Sequence, residues 1–256
     1  MSPNLILKTQ AKSLQLGRRL YQYQVDQDFF WLKTHVVLDQ SESHLGFLRE
    51  LSFYQQIDVK LQNICLPAKI LNLETIFPHY EFAEQTLCLP HHQFLFKPIS
   101  QLDIVQIKQI VFSAMCALQQ LFDAGWVHGD LKPQHFLTDL SRVYLIDFEY
   151  SFQLKNNPPL MLNATPRYMA PELFNGAAKS IRSDLYALGI ILYEWLSQKK
   201  LQAKDYHQWA ILHCQKLKIE LPESYRCFEP LLTQLLFKHA ENRTIDFDQL
   251  KANLNS

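Results

Sequence analysis

His128-Gly129-Asp130-Leu131-Lys132-Pro133-Gln134-His135-Phe136-Leu137 (HGDLKPQHFL) follows a helix-like run and precedes a strand-like one. In an extended segment alternate side chains share a face, so Asp130 and Lys132 point the same way. A carboxylate beside an ammonium suits phosphoryl transfer. The carboxylate can accept the proton of an attacking hydroxyl, and the lysine can balance charge on the moving phosphoryl group. The other reading is a surface Asp–Lys pair of little energetic worth. Pro133 stiffens the turn that follows.

On the N-terminal side, Asp103 to Phe122 carries Ile104, Ile107, Val111, Ala114, Met115, Leu118 and Leu121 at a helical period, and Gly125 reads as its stop. On the C-terminal side, Arg142–Phe148 (RVYLIDF) reads as a short buried strand. It delivers Asp147, in the run IDFEY, seventeen positions after Asp130. An acidic group at a strand end beside a cleft is a good Mg²⁺ ligand, because Mg²⁺ is hard and prefers oxygen. Capping of a turn is the alternative for Asp147 alone.

The first ninety residues are strand-rich. Arg19–Val25 and Phe29–Val37 flank a turn at Asp26-Gln27-Asp28, a helix follows from about Ser43 to Ile57, and His79–Ala83 and Thr86–Leu89 read as two more strands. Beyond Pro90 the chain turns helical, with a strong helix over Asp184–Leu196 and a loop at Lys155–Pro159. The pattern is a small sheet with one helix, then a larger and mainly helical part. A cleft between two such lobes is a natural ligand site.

Bulk properties exclude several classes. The chain has 256 residues, 48% hydrophobic and 20% charged, with zero formal net charge. That is an ordinary globular composition without the basic footprint of a nucleic-acid binder. The longest apolar stretch, near Leu185–Leu196, contains Glu194 and is too short to span a bilayer. Five scattered cysteines without a C-x-x-C pair favour neither a zinc ribbon nor a disulfide framework. With no signal-like N-terminal run, a reducing, cytoplasmic compartment is the expectation. Nothing points to an oligomeric state. Only six glycines occur, and none form a G-x-G-x-x-G or Walker-type loop.

These motifs together resemble the protein-kinase superfamily, serine/threonine type. The family's catalytic loop H-R-D-L-K-P-x-N is similar to His128–His135. Its D-F-G is similar to Asp147-Phe148-Glu149, and its A-P-E stands unchanged as Ala170-Pro171-Glu172 behind Ala164-Thr165-Pro166-Arg167-Tyr168-Met169. Ser183–Gly189 resembles the start of the family's long buried helix. The resemblance implies an α+β, two-lobed fold. One kinase-like domain would span residues 1–256, its antiparallel-sheet N-lobe with one helix over about 1–90 and its mainly helical C-lobe over about 91–256.

It also implies roles. Asp130 would be the catalytic base and Lys132 a phosphate contact. Lys33 would grip the α- and β-phosphates of ATP, with Glu50 as its ion-pair partner, and Asp147 would hold Mg²⁺. Glu172 would pair with Arg243. Asp184 and His128 would brace the loop. Thr165 would tie the substrate platform to Asp130 and Lys132, which leans toward Ser/Thr acceptors.

Four departures stand out. The glycine-rich phosphate lid is missing around Gly17; Arg18 or Arg19 could supply side-chain charge instead, or both are simply exposed. Trp31 replaces the small residue that faces the adenine. His135 replaces the Asn that gives an oxygen to a second metal, and would suit Mn²⁺ better than Mg²⁺ or else hydrogen-bond Asp130 or a water. Glu149 replaces the D-F-G glycine, either as a further metal ligand or as a stiffener. Bacterial lipopolysaccharide-sugar kinases and choline- and aminoglycoside-type kinases resemble the chain at these last two points. Gly129 replaces the arginine that reads a phosphorylated activation segment, so such phosphorylation is not the expected switch. The leading expectation is ATP-dependent transfer to Ser/Thr hydroxyls of a protein. A pseudokinase binding module and a small-molecule or glycan kinase are the alternatives.

Overall fold

A computed structural model describes residues 5–36, 40–139, 141–155 and 165–254. Val37, at the end of one expected strand, and positions 156–159 of the expected loop lie outside the described residues, as does Ala164. Two compact units emerge. Among the described residues the first holds those up to Gln93 together with Leu145–Tyr150, and the second holds the remainder.

The first unit is built on a five-stranded sheet in the order β1-β2-β3-β5-β4. β1 spans Leu5–Leu7, β2 Arg18–Val25, β3 Asp28–His35, β4 Lys69–Leu71 and β5 Thr86–Pro90. Every neighbouring pair is antiparallel. The β2–β3 hairpin turns at Asp26, whose positive φ of 55° suits the short Asp-containing turn. Its register pairs Leu20 with Lys33 and Gln22 with Trp31. Side chains alternate across a sheet, so Arg18, Leu20, Gln22, Trp31 and Lys33 share one face. The opposite face carries Tyr21 and Leu32, packed with Leu5, Leu73 and Phe82 in an apolar cluster.

β1 and β2 are joined not by a glycine-rich hairpin but by a short helix, α1 (Ala11–Gln15). α2 (Glu42–Gln55) starts at Ser41, whose hydroxyl accepts the His44 N–H.

His79–Ala83 is not a strand. β4, a three-residue strand with a weak pattern, takes the place beside β5. The aromatic residues Phe77, Tyr80 and Phe82 instead pack as a loop around Tyr21. They read as a strand because a loop that buries rings shows the same apolar alternation.

The second unit is mainly helical. α3 (Ile104–Asp123) begins with a reciprocal Asp103–Gln106 capping box and ends at Gly125, whose φ is 81°. α3 is long and apolar enough to cross a membrane by length and composition alone. Its Ile107, Val111, Ala114, Met115, Leu118 and Leu121 are buried in the unit, as in a core helix. α4 (Pro171–Phe174) and α5 (Ile181–Ser197) follow, and Ser180 and Ser183 cap α5 reciprocally. The expected strand Arg142–Phe148 shortens to Val143–Leu145. Beyond it Asp147 adopts φ 68°, which no strand permits.

Candidate active site

In the first unit, the alternation of β3 sends Lys33 to the face opposite Leu32. There its Nζ lies 2.6 Å from Glu50 Oε2, 2.8 Å from Asp147 Oδ1 and 2.8 Å from Glu149 Oε1. The residues come from three places far apart in sequence. Glu50 comes from the inner side of α2, and Asp147 and Glu149 from the segment after Leu145. That segment is anchored because the Leu145 N–H donates to Ile64 O at 2.7 Å.

Phe148 locks the turn. It is fully buried, stacks on Phe53 with ring centroids 3.8 Å apart, and meets the Tyr54 ring edge-on at 5.8 Å. Each such aromatic pair contributes about 1 kcal/mol beyond area burial. The Phe148 N–H also donates to Glu50 Oε1 at 3.2 Å. These contacts hold Asp147 in a left-handed conformation that costs a non-glycine residue about 1–3 kcal/mol, a form of strain concentrated at functional sites.

The electrostatics follow from one ammonium facing three acids. Burial alone would lower the Lys33 pKa, but Asp147, Glu149 and Glu50 outweigh it and hold it well above its ordinary value. Glu50, 1% exposed, is pushed up to about 7. Burial is the main cause, Lys33 opposes it, and the neighbouring carboxylates add to it.

The second unit holds the other group. Lys132 Nζ lies 2.8 Å from Asp130 Oδ2, as alternation in HGDLKP requires. The Thr165 main-chain N–H donates to Asp130 Oδ1 at 3.0 Å, so the tie to the platform runs through backbone. Asp184 is buried and accepts N–H groups from His128 at 2.7 Å and Gly129 at 3.0 Å. Burial pushes its carboxyl up to about 7 against the pull of those two donors. Gly129 sits at φ 79°, a conformation that an arginine at this place would adopt only with strain. His135 is buried with its ring stacked on His128 at 5.4 Å, and so braces the loop from within. Arg243 is fully buried and reaches Glu172 with two nitrogens, one at 2.8 Å. It also donates to Phe237 O at 2.8 Å and Arg182 O at 2.7 Å. A small pocket beside Asp130 is lined by Thr165, Tyr168, Met169 and Leu173.

Arg49 carried no signal in the sequence, and Arg18, Arg19 and Trp31 each make contacts that the sequence left open. Arg18 is not simply exposed: Nη2 contacts Glu149 Oε2 and Nε donates to Ser43 Oγ at 3.0 Å. Arg19, on the other face, pairs with Glu81. Arg49 donates from Nε to Glu149 O at 2.8 Å and pairs with Glu42. Trp31 donates from Nε1 to His91 Nδ1 at 2.9 Å, which fastens the indole along the Lys33 face of the sheet.

The sequence matches the protein kinase domain family over residues 24–250. It is similar to a protein of Acanthamoeba polyphaga mimivirus named as a serine/threonine-protein kinase, 28% identical over 200 residues, which are 72% of this chain and 69% of that one. It is also similar to the serine/threonine-protein kinases RUNKEL and TIO of Arabidopsis thaliana. RUNKEL is 33% identical over 52% of this chain, and TIO 26% identical over 87%. The matched parts are 10% of RUNKEL and 16% of TIO, so most of each plant protein lies beyond the shared region.

Proposed function

The chain belongs to the protein kinase domain family, and on that premise we propose that it transfers the γ-phosphoryl group of ATP to Ser/Thr hydroxyls of a protein. The observation that carries this reading is Lys33 Nζ held within 2.8 Å of both Glu50 and Asp147.

The residues fit the implied cofactors. Glu50, Asp147 and Glu149 each offer a carboxylate oxygen, all within 4.8 Å of one another. Hard oxygen donors suit Mg²⁺, and Mn²⁺ also. These carboxylate oxygens, gathered beside Lys33 and Arg18, offer a divalent cation the ligands it prefers. ATP and its metal, when bound, would supply the transferable phosphoryl group and neutralise its charge.

The chain's own groups do the rest. Lys33 would contact phosphate, and Glu50 fixes the direction of its ammonium. Asp147, with Glu149, would hold the cation. Asp130 accepts the acceptor hydroxyl's proton at a carboxylate oxygen. Lys132 pairs with that carboxylate, and the Thr165 N–H orients it. His128, Asp184 and the Glu172–Arg243 pair keep the loop and platform rigid. A cytoplasmic setting is part of the proposal, supported by five cysteines that are all free.

Trp31 favours a second reading, a binding module with little turnover, because the indole stands on the face where a purine would lie. Glu149 is the feature a small-molecule kinase would share, but the Thr165–Glu172 segment, with its unchanged Ala170-Pro171-Glu172, resembles the peptide platform of serine/threonine kinases. Radiolabelled ATP with protein and sugar acceptors, run with Asp130→Asn, tests the proposal. Label on protein, reduced about 10²–10⁴-fold in the variant, is expected. Equal labelling by the variant removes Asp130 as base. No labelling of any acceptor, with nucleotide still bound, leaves the binding module.

A further inference from the structure

The carboxylate of Glu149 is placed as a phosphate would be. It is 3% exposed, and each of its oxygens faces a cation, Oε1 toward Lys33 at 2.8 Å and Oε2 toward Arg18. The slot around it is built. Arg49 Nε holds the Glu149 carbonyl at 2.8 Å, and Ser43 Oγ holds Arg18 Nε at 3.0 Å. Helix α2 carries a glycine where it passes the carboxylate: a Cβ on Gly46 would stand 3.3 Å from Glu149 Oε2 and 3.6 Å from Arg49 Nη2. Strand parity puts Arg18 on the Lys33 face, and α1 stands where a backbone lid would otherwise supply N–H donors.

We propose that Arg18 is a nucleotide-phosphate contact that replaces the missing backbone lid, and that Glu149 is its exchangeable counter-ion. Without ligand, Glu149 occupies Lys33 and Arg18. Phosphate oxygens and a carboxylate make the same charge-assisted hydrogen bonds to a guanidinium, so the triphosphate competes with Glu149 for both cations. The displaced carboxylate, beside Asp147, then needs a new positive partner, and a divalent cation fits it. The metal therefore acts partly by removing an internal competitor. This rests on the proposed nucleotide binding and assigns Arg18 and Glu149 paired parts in it.

The test is equilibrium binding of a non-hydrolysable ATP analogue and of adenosine, each with Mg²⁺ and with EDTA. It uses the wild-type chain, Glu149→Gln, Arg18→Ala and Arg18→Lys. Glu149→Gln keeps the shape and removes the charge. It is expected to tighten metal-free binding of the analogue about tenfold and to shrink the gain from Mg²⁺ by a similar factor. Arg18→Ala is expected to weaken the Mg²⁺-analogue about 10–100-fold, to leave adenosine unchanged, and to be partly rescued by lysine. Unchanged metal-free affinity in Glu149→Gln overturns the proposal. So does equal loss of adenosine and analogue in Arg18→Ala. Should Arg18→Ala fail to fold, Glu149→Gln alone decides. A wild-type chain that binds neither compound in any metal overturns the nucleotide reading as well, whereas binding indifferent to both variants overturns only this inference.

Discussion

Replacing Glu50 with glutamine should make the protein more stable relative to wild type as pH rises, while weakening its site. In the folded chain the Glu50 carboxyl titrates near 7, against about 4.5 when unfolded. The folded state therefore binds a proton more tightly, and between those two values its stability falls as pH rises. A shift of this size corresponds to about 3 kcal/mol at full titration, since one unit is about 1.4 kcal/mol. Below pH 4.5 the penalty is absent; above pH 7 it is complete. Glutamine keeps an oxygen for the Phe148 N–H and carries no charge to bury. Urea unfolding of both proteins at pH 5 and pH 8 measures the difference. Glu50→Gln should gain about 2–3 kcal/mol on wild type between the two conditions, and lose nucleotide affinity because Lys33 loses its fixed partner. A variant whose disadvantage grows toward pH 8 would refute the reasoning. It would mean that the Lys33 attraction, not burial, governs Glu50.

Arg243→Met should lower unfolding stability by about 3–5 kcal/mol, because it leaves the Glu172 carboxylate and two carbonyl oxygens without their buried partner. Urea denaturation at neutral pH reads this directly, and a loss under about 1 kcal/mol would contradict it. Gly46→Ala should be neutral or harmful in the wild-type chain, because its Cβ presses on Glu149 Oε2 at 3.3 Å. In a Glu149→Ala background the same change should stabilise by about 1 kcal/mol, the ordinary gain of alanine over glycine inside a helix. Equal effects in both backgrounds, in a thermal-unfolding double-mutant cycle, would remove the steric argument.

How much could be read beforehand depended on the range of each signal. Asp130 and Lys132 were legible because alternation is a local rule and they lie two residues apart. Asp147 was legible as the acid that ends an apolar run, although its left-handed turn was not. Lys33 and Glu50 needed the family resemblance, since no spacing rule connects a strand lysine to a helix glutamate. Arg18 and Arg19 could not be told apart. They are adjacent, and only the pairing of Leu20 with Lys33 decides which one faces the acids. Arg49 gave no signal at all, because its partner is a main-chain oxygen one hundred residues away. The strand expected at His79–Ala83 failed because buried aromatic loops and strands share one apolar pattern, while β4 was too short to show any.

Calorimetric titration of ATP with Mg²⁺ into the wild-type chain and into Lys33→Met tests the central claim most directly. The lysine touches all three carboxylates and would also touch phosphate. Saturable binding to the wild type, weakened about 10–100-fold by the substitution, is predicted. Equal affinity for the two proteins, or no heat from either with Mg²⁺ or Mn²⁺, would contradict the account.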